Sequence, residues 1–446
     1  MAFLGIVLVA IFLYIRGYKI SALLLFFFFI TSGFNLLPEE ITKFAFISKG
    51  SDYAFLILIG IIIIDSLFNR GYFNRDNFTK YLIIFAAFLI ICIFYSKFVI
   101  RLEWGNIFRT CRYQFFWIAY FLFRSLKKET LEALLKCLFY VSLFTAFLFL
   151  LQIVFDANIL LKGQKVYIHL FDYKIPRFYN QPDMLFFFTF MALYHNPLKG
   201  ILKYISMIIL TVALLGAFHR SLIIAFIAAV SIGYVIRLPR VKRTVILTST
   251  AIIGLIFVVF WGYEFANSRT IKDIAIVTSG NVADIEAKNL DIEELQKSTF
   301  TFRIAHLLER NQYLLDHPKA MIFGAGLIPE DSKLVNKMFD FKIGLIEELT
   351  GNTAQLDTGD ISYSILILRL GYTGTLLYLL LIVYFMVFFY KKRDNRFGFL
   401  SFLYLLLTIG VSFFSANLLN PVTFLLPLIS YNIIRKSDSE KIEKES

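Results

Sequence analysis

Charge is scarce in this sequence. Only 17% of its 446 residues are Asp, Glu, Lys or Arg, whereas 58% are hydrophobic. Soluble domains carry about 25% charged residues, so the shortage excludes a soluble globular enzyme and, with so much apolar side chain, a disordered chain. Proline occurs nine times, too seldom for a collagen-like or Pro-rich segment. The three cysteines, Cys92, Cys111 and Cys137, lie in or beside apolar stretches without CxxC spacing. That excludes a disulfide scaffold and a zinc site, and leaves them as packing residues. There is no HExxH, P-loop, GxSxG or dinucleotide fingerprint, and His169, His195 and His306 have no partner at metal-ligand spacing. Neither a catalytic metal nor a cofactor is expected.

What the chain has in abundance is apolar surface. Phe alone reaches 52 residues and aromatics 18%, and the mean hydropathy is +0.71. These values describe a polytopic membrane protein. A spanning helix needs about 20 apolar residues. Windows of that kind run at 2–15, 20–37, 53–68, 81–100, 104–123, 131–155, 183–195, 201–218, 221–236, 244–262, 361–390, 397–414 and 418–434. They predict an all-α bundle with about thirteen spans. The first window resembles a signal peptide only in length, because its n-region is uncharged and no small-residue cleavage site follows.

The formal net charge of +13 does not point to nucleic acid, because the basic residues sit in short runs between apolar windows. Every second connection is basic: Arg16 and Lys19; Arg70, Arg75 and Lys80; Arg124, Lys127 and Lys128; Lys199 and Lys203; Arg237 to Arg243; Lys391 to Arg396; Arg435 and Lys436. Lys and Arg are retained in the cytoplasm. The alternation therefore predicts an external N-terminus, an internal tail at 436–446, and external connections at 38–52, 156–182, 219–220 and 263–360.

Three parts follow in order: N-terminal spans in 1–262, a large extracytoplasmic loop at 263–360, and C-terminal spans in 361–435. The loop holds 16 of the 32 acidic residues. Within it Phe302, Ile304, Leu307, Leu308, Leu314 and Leu315 recur at helical spacing, so an amphipathic helix is predicted over 299–316, ended by His317-Pro318 and the Gly324-Ala-Gly326 turn. Such a helix lies on the membrane surface or caps the bundle.

Ionisable groups near the outer half of a bundle are functional candidates, since an unpaired charge there is costly. Arg177 precedes the span near Asp183. Arg220 stands with His219 in the tight turn between two apolar runs, and Arg303 and Arg310 share one helix face with His306. External arginines run against the positive-inside trend. An anionic ligand would account for them, and a planar guanidinium suits a diphosphate because it gives bidentate, charge-assisted hydrogen bonds. Asp357 and Asp360 stand where the long loop re-enters the membrane, placed to act as a general base or, for Asp360, as a helix cap. His317 completes the set, with a structural helix end as its alternative.

Three blocks give the chain a family resemblance. They are R-F-Y-N-Q-P-D at 177–183, H-R-S-L-I-I at 219–224, and the stretch from Arg303 through L-L-D-H-P at 314–318 to F-G-A-G-L at 323–327. An L-G-Y-T-G helix follows at 370–374. In this order the blocks resemble the superfamily of O-antigen polymerases and O-antigen ligases over about residues 130–390. The resemblance implies a glycosyltransferase-C-like helical bundle in a bacterial cytoplasmic membrane, with its catalytic face outside. It implies polyprenyl-diphosphate-linked glycans as donor and acceptor, and a chain-length regulator as a further partner. Arg177, Arg220 and Arg303 match the arginines that grip the diphosphate. Ligases of the superfamily carry a His-Asn pair at the membrane re-entry, where this sequence reads T-G-D-I-S-Y. That favours a polymerase over a ligase. Pro182-Asp183 replaces a family Pro-Asn, which puts the role of Asp183 in doubt.

The implied reaction is inverting and metal-independent. Arginines stabilise the departing diphosphate, and an acceptor hydroxyl attacks with Asp360 as base or by proximity alone. A ligase and a lipid-linked oligosaccharide transporter are the alternatives. Transport calls for pathway charges or broken helices, whereas most windows here are uninterrupted, Arg369 being the main exception.

Overall fold

The computed structural model describes residues 2–445 apart from 44–48, 69–71, 74–75, 162–164, 171–172, 238, 240–298, 331, 333 and 339–360. The window at 244–262, Asp357 and Asp360 therefore lie outside the described residues. The fold is mostly helical. In chain order the main helices are α1 (Ala2–Ile15), α2 (Lys19–Ile30), α3 (Gly50–Phe68), α4 (Asn77–Phe98), α5 (Trp104–Cys111), α6 (Ala119–Ser125) and α7 (Lys128–Phe155). After a β-hairpin come α8 (Leu185–Tyr194), α9 (Gly200–Gly216), α10 (Arg220–Arg237), α11 (Thr299–Asp316), α12 (Pro318–Phe323), α13 (Ser362–Lys391), α14 (Arg396–Val411) and α15 (Val422–Glu445).

Four helices, α3, α4, α7 and α13, are long and apolar enough to cross a membrane. The apolar helices α1, α2, α8, α9, α10 and α14 are shorter. This is the make-up of an all-α membrane protein. Local backbone explains some of the shortening. Helix α2 stops at Ile30, after which Ser32, Gly33, Phe34 and Asn35 all adopt positive φ. The 104–123 window is divided into α5, a 3₁₀ segment at Arg112–Ile118, and α6.

Helix ends meet in two sets. In one, Asp76 caps the start of α4 through Thr79 and also takes hydrogen bonds from Tyr120 and Arg435, while Tyr14 and Ser125 both donate to Asp65. Lys128 pairs with Glu440 and Lys392 with Asp438 at the same end. Burial raises the Asp76 carboxyl, but the bonds from Tyr120, Thr79 and Arg435 outweigh it and hold the group at about 2. The other set joins Asn35, Asp183 and Asn420, and also Ser362 with Ser415. Of the basic runs, Arg124, Lys128, Lys392 and Arg435 have ion pairs in the first set.

Aromatic packing binds the centre. Trp117 of the 3₁₀ segment stacks on Phe424 of α15 with centroids 4.1 Å apart and planes 6° from parallel, and it lies against Phe385 of α13 at 5.8 Å. All three rings are buried. Such stacking adds about 0.5–1.5 kcal/mol beyond simple burial.

Helix α13 is broken. Gly371 has φ 65° and ψ −175°, outside helical space. The turn after α12 fills the break: Ala325 N donates to Leu368 O at 2.7 Å, and Arg369 Nε donates to Ile328 O at 3.3 Å. On its other side Leu327 N donates to Ser96 Oγ of α4 at 2.9 Å. Leu327 and Ile328 are buried. The 324–328 turn is thus wedged between α4 and α13, its backbone groups satisfied by theirs.

Candidate functional site

The segment 173–183 positions the site. Lys165–Leu170 and Tyr173–Phe178 form an antiparallel hairpin, β1 and β2, with Val166 opposite Arg177. Its base is held by Asp156, which follows α7 in the left-handed region and receives Lys165 Nζ at 3.0 Å and Tyr167 Oη at 2.8 Å. Those two bonds hold the Asp156 carboxyl below its ordinary range. The alternation of Val166, Ile168 and Leu170 in K-V-Y-I-H-L is the sequence signal for the first strand.

Beyond β2 the chain is pinned by carboxamides. Gln152, fully buried in α7, donates to Asn180 Oδ1 at 2.8 Å, and its Oε1 accepts from the amides of Ile159 and Leu160 at 3.1 and 2.9 Å. Asn35 Nδ2 donates to Asp183 Oδ2 at 3.2 Å, and its Oδ1 accepts the Asp183 amide at 3.2 Å. Asn420 Nδ2 donates to Asp183 Oδ1 at 3.0 Å while its Oδ1 accepts the Val422 amide at the start of α15. One carboxylate thereby ties together the end of α2, the start of α8 and the start of α15.

Beside this carboxylate is a polar pocket of about 170 Å³. Asp183, Gln181, Asn417 and Asn420 supply carboxylate and amide groups, and Tyr179, Tyr404, Thr408 and Thr423 supply hydroxyls. Pro182 and Phe186 complete the wall. Among the described residues no Lys, Arg or His lines it. Asp183, Asn35, Asn417 and Asn420 are absent from the functional residues that the sequence selects. Their signal was a set of carboxamides at the ends of Phe- and Leu-rich runs, in S-G-F-N, Y-N-Q-P-D and S-A-N-L-L-N-P.

Two of the selected arginines lie over aromatic rings, and one of those rings, Tyr179, belongs to the pocket wall. Arg177, half-buried, lies over the ring of Tyr179 with its Cζ 4.6 Å from the centroid, and among the described residues its Nε has no hydrogen-bond partner. Arg303 lies 5.5 Å over Phe414, in the link between α14 and Asn417. Arg310 is elsewhere on the same helix. It is fully buried and paired with Glu309. Burial draws its guanidinium down to about 10 against the pull of Glu309 and Glu330, so it stays charged at neutral pH.

The remaining candidates scatter. Arg220 opens α10, and the neighbouring His219 Nδ1 is 2.8 Å from Ser221 Oγ. His317 is exposed, stacks on Tyr313 and has Nδ1 2.8 Å from Tyr313 O, while Pro318 takes the first position of α12. This is helix-end geometry. His306 is buried, with Nδ1 2.7 Å from Ser364 Oγ of α13, so α11 is docked on the bundle by a polar residue. The cap of α13 is Ile361, which has no side-chain cap bond. Among the described residues no three His, Cys, Asp or Glu side chains gather as metal ligands. No protein-family model and no curated protein matches this chain.

Proposed function

We propose that this chain is a membrane glycosyltransferase that polymerises polyprenyl-diphosphate-linked oligosaccharide repeats into O-antigen, capsule or exopolysaccharide chains. The supporting observation is Arg177 stacked on Tyr179, a wall residue of a polar pocket with no cation among its described lining residues, together with Arg303 stacked on Phe414 in the link that leads to the lining residue Asn417. Guanidinium groups hold the donor diphosphate and stabilise the charge that develops as it leaves. The pocket side offers hydrogen-bond partners to sugar hydroxyls. In this reading Arg177, Arg220 and Arg303 serve the donor. Asp357 or Asp360 assists the attacking hydroxyl. The chain sits multi-pass in a bacterial cytoplasmic membrane with this end of the bundle outside, and a chain-length regulator is its expected partner. A ligase, transferring glycan to a lipid acceptor, shares the same donor chemistry.

One observation favours transport instead. A helix broken at Gly371, with a turn inserted at the break, is the architecture that transporters use at midplane sites. Proteoliposomes carrying the purified protein and a lipid-linked repeat unit separate the two readings. The polymerase produces a ladder of lengthening lipid-linked products. A transporter moves the repeat between leaflets and leaves its length unchanged, and that result would overturn the proposal.

A further inference from the structure

We infer that the pocket beside Asp183 is a monosaccharide subsite for the terminal sugar of the acceptor glycan. The inference rests on the glycosyltransferase reading and adds to it where the neutral end of the acceptor is held.

Size, chemistry and charge lead to the same ligand class. An engineered cavity of about 150 Å³ accommodates benzene, so 170 Å³ accommodates one six-membered ring. A dry apolar wall would select a hydrocarbon. Here the wall alternates carboxamide, carboxylate and hydroxyl groups with the rings of Tyr179, Tyr404 and Phe186, which suits a pyranose with polar edges and apolar C–H faces. Asp183 accepts one bond on each oxygen, from Asn35 and Asn420. Each oxygen has two acceptor positions, so one on each remains for a sugar hydroxyl. Both bonds come from neutral amides, which fix the carboxylate without supplying a countercharge. A diphosphate calls for cations and none is among the described lining residues, so the donor's charged end belongs with the arginines and the uncharged acceptor end with the pocket. A bare metal cation would need a tighter cage of oxygens than a space of this volume provides.

The experiment has two arms, both on the full-length protein in detergent. In the first, ligand-observed saturation-transfer NMR is recorded with a panel of methyl glycosides at millimolar concentration, for wild type, Asp183→Asn and Gln181→Ala. Gln181 has no structural hydrogen bond among the described residues, so its variant folds even if Asp183→Asn does not. At least one glycoside is expected to give a signal that falls several-fold in both variants. In the second, chain extension is measured with varied acceptor. The acceptor KM is expected to rise at least tenfold in Asp183→Asn and measurably in Gln181→Ala, with the donor KM unchanged. Glycoside binding without extension in wild type would keep the subsite and remove the polymerase reading. Extension with an acceptor KM that neither variant alters would keep the polymerase and overturn the subsite. The subsite is also overturned if no glycoside binds wild type, or if sodium-23 NMR shows a sodium ion bound through Asp183 in its place.

Discussion

Gly324 and Gly371 lie where the turn after α12 meets the backbone of α13, and neither position has room for a side chain. A Cβ on Gly324 would come within 2.5 Å of Leu368 O, and one on Gly371 within 2.6 Å of Ile322 O. Both have positive φ, 72° and 65°, a region that costs an L-residue about 1–2 kcal/mol before any clash. The contact holds the turn after α12 inside the break in α13. Gly324→Ala and Gly371→Ala are therefore each expected to lower stability by more than about 2 kcal/mol. Thermal unfolding in detergent measures this. Gly105, where a Cβ would meet nothing within 4 Å, is the control and should tolerate Ala far better. Equal losses at all three positions would argue against the close approach.

The opposite end of the bundle has a pH signature. Asp76 is held at about 2 by Tyr120, Thr79 and Arg435, below its ordinary value of 3.8. A carboxyl depressed on folding stabilises above its unfolded pKa, and the contribution is lost as pH falls from about 4 toward 2. Discounted for the partial exposure of Arg435, it amounts to roughly 1–2 kcal/mol at neutral pH. Asp76→Asn should thus unfold earlier than wild type at pH 7, and the gap should narrow steadily below pH 4. A gap independent of pH would assign the loss to helix capping alone.

The alternation of basic runs predicts sidedness, and Lys319 provides a handle. It is exposed at the start of α12, close to Arg303 and the 324–328 turn in the chain. In intact cells, Lys319→Cys on a background with Cys92, Cys111 and Cys137 replaced by Ala is expected to react with a membrane-impermeant maleimide. Labelling only after permeabilisation would place the candidate site on the cytoplasmic face, away from an extracytoplasmic acceptor.

The sequence reveals local features well. Helix α11 occupies Thr299–Asp316, where apolar spacing predicts a helix; His317-Pro318 ends it and starts α12, and Gly324 ends α12. The break at Gly371 was not legible, because a glycine inside an apolar run is also tolerated in an intact helix. What decides it is the backbone of Gly324, brought there by tertiary packing. The pocket was hidden for the same reason. Asn35, Asp183 and Asn420 are distant in sequence, and none matches a catalytic motif. In the sequence Pro182-Asp183 stands out only as a departure from the Pro-Asn of the superfamily it resembles, yet its carboxylate is where three helix ends meet.

The central claim is that guanidinium groups of this protein act on a diphosphate during chain growth. The most direct test is the length of lipid-linked product made by wild type, Arg303→Ala and Arg303→Lys at matched expression and folding, with Arg220→Ala alongside. Loss of a charge-assisted donor to the leaving group costs roughly a hundredfold or more in rate. Lysine keeps the charge but loses the planar fork. The account predicts a wild-type ladder, collapse to single repeats in both alanine variants and only slight recovery in Arg303→Lys. A full-length ladder from Arg303→Ala and Arg220→Ala would contradict it.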